Sequence, residues 1–107
     1  MPNPHYTVKG IIEAASRVTN VDAKSITGPS RLRHLVRIRQ AAYYVARQRT
    51  GQSYPQIGLR FNGRNHSTIM HGVKLAEHLM ERDGQFALMV IQIDALAHAT
   101  NEARMAA

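Results

Sequence analysis

The chain of 107 residues has no cysteine. That excludes disulfides and thiolate metal sites, and it fits a reducing compartment. Long apolar runs are missing too, so nothing reads as a membrane-spanning helix. Met1-Pro2-Asn3-Pro4-His5 lacks the charged and apolar regions of a secretion signal, leaving a cytoplasmic protein as the expectation. The most telling absence is local: no aspartate or glutamate occurs between Asp22 and Glu77. That stretch carries Arg31, Arg33, Arg37, Arg39, Arg47, Arg49, Arg60 and Arg64 together with Lys24 and Lys74. All seven acids and only four of the bases lie in the flanks. The formal charge of +7 therefore belongs to the middle of the chain, and it points to a polyanionic partner.

Other absences exclude chemistry. There is no phosphate-binding G-x-x-x-x-G-K-[ST] loop and no G-x-S-x-G nucleophile elbow, and the carboxylates stay in the flanks. His66, His71 and His78 fall on one predicted helix, yet no two of them have the i, i+4 spacing of a shared ion. The expectation is a protein without catalysis, cofactor or metal.

What remains is helical periodicity in a length that suits one domain. Val8, Ile11, Ile12, Ala15 and Val18 mark a first helix, and Asp22 is placed to cap a short second one ending near Thr27-Gly28-Pro29. A long helix is predicted from Arg33 to Thr50, stopped by Gly51. Its core stripe is Leu35, Ile38, Ala42 and Val45; Arg33, Arg37, Gln40, Tyr44 and Arg47 occupy another face. Ser53 caps the next helix, whose first turn tolerates Pro55. Asn62-Gly63 is the turn that follows, because glycine accepts positive φ. A fifth helix runs from Asn65 or His66 to Arg82, and a last one from Gln85 to about Thr100.

A short helix, a glycine turn and a second helix opening on small polar residues make up a helix-turn-helix. The first turn of such a recognition helix sits deepest in the major groove. Here it offers Arg64, Asn65, His66, Ser67 and Thr68 as base or groove contacts. Asn65 could instead serve only as a helix cap. Arg31 and Arg33 precede the long helix in a loop able to enter a minor groove. Arg37, Gln40 and Arg47 suit phosphates, which set affinity and register; a solvated charged face is the plainer alternative. The last helix carries two apolar stripes. Phe86, Met89, Ile93 and Leu96 should face the core. For Leu88, Ile91 and Ala95 burial is the expectation, with an exposed contact surface as the alternative.

Ser30-Arg31-Leu32-Arg33, Arg37-Ile38-Arg39-Gln40, Ser53-Tyr54-Pro55-Gln56-Ile57-Gly58 and Phe61-Asn62-Gly63-Arg64-Asn65-His66-Ser67-Thr68, with His71, together resemble the C-terminal DNA-binding domain of the bacterial replication initiator DnaA. The resemblance spans about Val8 to Thr100. It implies an all-α domain of about six helices, of the Trp-repressor type, binding double-stranded DNA as a monomer at asymmetric DnaA-box-like sites. By motif, Arg31 becomes the minor-groove arginine, and Arg64, Asn65, His66, Ser67 and Thr68 the major-groove set. Gln40 and Arg47 become backbone contacts, and Arg33, Arg37, His71 and Lys74 are expected to contact the backbone as well.

Two residues depart from the family pattern. Asn65 stands where an aspartate is usual, which changes the donor and acceptor offered to one base, and Ile38 replaces a common proline. The initiator's ATPase module is not in this sequence. The expected organisation is a flexible leader (1–7), the DNA-binding domain (8–100) and a frayed end (101–107). Met1 and its proline-bearing leader favour a stand-alone relative over an excised piece. Its other possible partners are the initiator itself or the initiator's regulators.

Overall fold

The computed structural model describes residues 3–106. Six helices follow one another: α1 (Val8–Thr19), α2 (Ala23–Thr27), α3 (Arg33–Thr50), α4 (Tyr54–Arg60), α5 (His66–Arg82) and α6 (Gly84–Ala106). Among the described residues there is no strand, so the fold is all-α as the periodicity predicts.

Local chemistry explains most of the boundaries. The Thr7 hydroxyl accepts from the Gly10 amide and starts α1, and Asn20, in the left-handed region at φ 57°, ends it. Gly51 ends α3 in the same region at φ 66°. Ser53 and Gln56 form a reciprocal capping box at the start of α4, with Pro55 inside the first turn. That arrangement satisfies two amides that the helix itself cannot. Asp22 does not behave as expected: it stands at the start of α2, but its side chain makes no capping bond.

The long α3 lies at the centre and packs against α1, α5 and α6. Its predicted stripe, Leu35, Ile38, Ala42 and Val45, is buried, as are Ile11, Ile26, Ile57, Phe61, Ile69 and Ile93 from the surrounding helices. Tyr43 meets Phe61 edge to face at 4.7 Å between ring centroids, tying α3 to the end of α4. Gly72 lets α5 pass close to α3, since a β-carbon there would lie 2.6 Å from the Tyr43 ring.

Three expectations about the flanks are corrected. The last helix does not fray at Thr100 but continues to Ala106, where Arg104 pairs with Glu13 of α1 at 2.9 Å. Residues 3–6 of the leader are tied down as well. The Asn3 amide donates to the Arg49 carbonyl at 2.9 Å, Asn101 donates to the Pro4 carbonyl, and His5 packs against His98. Met1, Pro2 and Ala107 lie outside the described residues. Finally, the second stripe of α6 is not buried: Leu88 is 54% and Ile91 58% exposed. The two stripes lie on opposite sides of one helix, and the core covers only the side of Phe86, Val90, Ile93 and Ala97.

Arg49 and Asp94 join α3 to α6 through two hydrogen bonds, of 3.0 and 2.7 Å. Burial pushes the Tyr6 hydroxyl beside them up to about 12, helped by Asp94. Partial burial alone would raise Asp94, but the hydrogen bonds and charge of Arg49, with the Tyr6 hydroxyl nearby, hold it below the ordinary carboxylate range. A carboxyl whose folded value is depressed stabilises the fold at neutral pH, and that contribution is lost as pH falls through the folded value. Because Arg49 is half exposed, solvent weakens the pair, and Asp94→Asn should cost only about 0.5–1 kcal/mol at pH 7. In urea unfolding the variant and the parent should converge as the pH drops below the carboxylate range; a pH-independent gap would show that the pair contributes nothing through charge.

Candidate nucleic-acid interface

The helix-turn-helix is α4, a turn over residues 61–65, and α5. Gly58 is its pivot: its carbonyl accepts from both the Phe61 and the Arg64 amides at 3.0 Å. Asn62 and Gly63 take the positive φ values, 59° and 73°, that reverse the chain. Asn65 then starts α5, with its side-chain oxygen accepting from the Ser67 amide at 2.8 Å. It is therefore a cap, but an exposed one whose amide nitrogen can still donate outward. His66 and Thr68 are exposed and Ser67 is half-buried. One turn on, His71 and Lys74 are exposed too.

Beside this turn the fold forms a cleft of about 560 Å³ between the loop after α2, α3 and α5. Arg31, Gln40, Arg64, Thr68 and His71 all line it, and no carboxylate does. Arg31 is exposed on the loop and Gln40 is buried in the floor, where it accepts from Arg37. Sequence positions far apart are thus brought to one basic surface. Arg33 and Arg37 are not brought there. They line a separate cleft of about 720 Å³ with His34, Asp83, Phe86 and Met89. Arg47 stacks on the Tyr54 ring at 4.5 Å and donates to the Gln52 carbonyl at 2.7 Å.

Arg64 stands just before the exposed start of α5, but its guanidinium turns back into the protein. It donates to the carbonyls of Thr27 (2.9 Å), Phe61 (3.3 Å) and Gly28. Arg39 goes further. Although it belongs to the acid-free basic stretch, it is only 4% exposed. Its guanidinium donates to the carbonyls of Ile26 (2.6 Å), Gly28 (2.7 Å), Ser25 (3.1 Å) and Ser30. Burial, and then the Arg64 charge, pull Arg39 below the usual arginine value, while burial raises Tyr43 beside them. Asn62 adds a bond of 3.0 Å to the Thr27 carbonyl. Periodicity missed these three roles. The one available signal was the missing acids: a buried arginine in that stretch has only carbonyls to meet.

Among the described residues, no group of three His, Asp or Glu side chains could hold a metal ion. No described helix is long and apolar enough to cross a membrane.

An all-helical domain whose helix-turn-helix opens onto a carboxylate-free basic cleft belongs to the helix-turn-helix class. Its family follows from comparison with known proteins. Residues 8–75 match the bacterial dnaA protein helix-turn-helix family, and the chain belongs to that family. It is 48% identical over 81 residues to the chromosomal replication initiator protein DnaA of Ruegeria pomeroyi, an overlap covering 76% of this chain and 17% of the relative. It is 40% identical over 80 residues to that of Acinetobacter baumannii, covering 75% and 17%. The match to that of Sphingopyxis alaskensis is 38% over 82 residues, covering 77% and 18%. The chain thus spans about a sixth of the length of these relatives.

Proposed function

We propose that the chain binds duplex DNA in a sequence-specific manner at DnaA-box-like sites, as a monomer and without catalysis of its own. In that role it takes part in chromosomal replication initiation, or regulates it or promoters near such sites, and acts at the nucleoid. The observation that carries this reading is the exposed start of α5 beside the basic cleft that also holds Arg31. Asn65, His66 and Thr68 have the donors, acceptors and methyl group that read base edges in a major groove. Arg31 suits the concentrated negative potential of a minor groove, and Lys74 suits a phosphate.

In vitro selection from random duplexes, followed by gel shifts across a salt series, tests this. Specific binding should fall with salt at a log–log slope of about −0.9 per phosphate contacted. His66→Ala should weaken the selected site by about tenfold or more, the scale of one lost base contact, and should weaken random DNA far less. Equal losses on both would refute base reading. Lys74→Ala should weaken all sequences alike and flatten the slope by about one unit.

The exposure of Leu88 and Ile91 favours a second reading. In it, the outer stripe of α6 binds the initiator or its regulators and DNA binding is weak. Sequence-indifferent DNA binding in the same gel shifts would support that reading over the first.

A further inference from the structure

We propose that Arg64, helped by Asn62 and Arg39, fixes the distance between the Arg31 loop and the start of α5, and does so without touching DNA. The inference rests on the DNA-binding reading above and adds how that site keeps its register.

The two reading elements come from distant parts of the chain. Arg31 sits on residues 28–32, which have no regular structure, whereas the major-groove residues open α5. Left alone, such a loop would sample many positions, and ordering it on DNA would cost affinity. Instead, seven hydrogen bonds from three side chains converge on the carbonyls of Ser25 to Ser30: four from Arg39, two from Arg64 and one from Asn62. The Gly28 carbonyl accepts from both arginines. Arg39 ties this segment to the central helix, and Arg64 and Asn62 tie it to the helix-turn-helix turn itself.

A planar guanidinium holds several acceptors in a fixed fork, which an ammonium cannot do. Three of the five N–H donors of Arg64 already go to the carbonyls of Thr27, Gly28 and Phe61, and they hold its guanidinium against the protein. Arg64 is thus a positioning residue. Its consequence is a preferred separation, in base pairs, between the part of a site read from the minor groove and the part read from the major groove.

The test uses the whole chain as parent, Arg64→Met and Arg64→Lys. Duplexes carry the selected site with one base pair inserted or removed between its two parts. For the parent the altered spacing should cost about tenfold or more in affinity, as a misplaced base contact does. For Arg64→Met the penalty should shrink severalfold while the salt slope stays that of the parent. Arg64→Lys, which keeps the charge, should behave like Arg64→Met. A slope flattened by about 0.9 would mean that Arg64 grips a phosphate, and lost preference at a single base pair with spacing discrimination intact would mean that it reads a base. Either result overturns the proposal.

A readout without DNA separates this from failure of the DNA-binding reading. Backbone order parameters for Gly28, Ser30 and Arg31 should lie near the rigid value of about 0.85 in the parent and drop towards about 0.6 in Arg64→Met, with α1 and α6 unchanged. Unchanged values would sink the brace even if DNA binding is specific. Retained values in the parent with no specific DNA binding would sink the DNA-binding reading instead. If Arg64→Met does not fold, Asn62→Ala removes one of the seven bonds and should shift the order parameters and the spacing penalty in the same direction by less; no shift in either would overturn the proposal.

Discussion

Alanine at Gly58 is expected to destabilise the domain by about 3 kcal/mol, at the upper end of overpacking costs. In a domain of this size that lowers the melting temperature by roughly 10–20 °C. A β-carbon at this position would lie far inside van der Waals contact of the Arg64 carbonyl oxygen, with the Ile69 side chain 3.7 Å away. The obstruction is backbone, which no rotamer change can relieve. The Gly58 carbonyl also holds the Phe61 and Arg64 amides, so a turn that opens to admit the methyl gives up those bonds and moves the start of α5. Any fraction that stays folded should bind its selected DNA site much more weakly than the parent. Thermal unfolding with parallel gel shifts decides the matter, and a melting temperature within a degree or two of the parent would show that the turn yields without cost.

Methionine at Arg39 should cost about as much, on the order of 2–4 kcal/mol, for a different reason. The side chain keeps most of its aliphatic packing, but the carbonyls of Ser25, Ile26, Gly28 and Ser30 lose their donor. A hydrogen bond to a charged group is worth about 1.5–3 kcal/mol, and an unsatisfied buried acceptor costs a similar amount. Relief from burying a cation offsets part of the loss. The offset is partial because no carboxylate partner leaves with it. Urea denaturation would register the effect as a lower midpoint with little change in slope. An Arg39→Met protein as stable as the parent would mean that the loop carbonyls rehydrate freely.

The sequence made the helices legible wherever a terminus has its own chemistry. Ser53 with Gln56, Gly51, and Asn62-Gly63 each carry a local signal that needs no distant partner, and each sits where its chemistry predicts. The exposed residues that open α5 were legible for the same reason. The bracing of Arg39 and Arg64 was not, because their acceptors are backbone carbonyls, which every residue owns and no motif marks. Arg33 and Arg37 share a helical face with Gln40, yet only Gln40 reaches the cleft. Helical spacing gives direction around an axis but not where the neighbouring loop ends. The extra turns of α6 and the contacts of residues 3–6 carry no local signal, because pairs such as Arg104 with Glu13 join opposite ends of the chain. The outer stripe of α6 shows the converse error. Apolar residues recur there at helical spacing, and among the described residues no neighbouring helix covers them.

The narrow passage of Gly72 across Tyr43 makes the gap between two helices an adjustable dimension. A side chain added at position 72, balanced by a slimmer ring or aliphatic group at position 43, would let α5 settle at a new depth while its opening residues stay chemically the same. If the chain reads duplex sequence as proposed, its site preference would then depend on two interior positions as well as on the exposed residues that open α5.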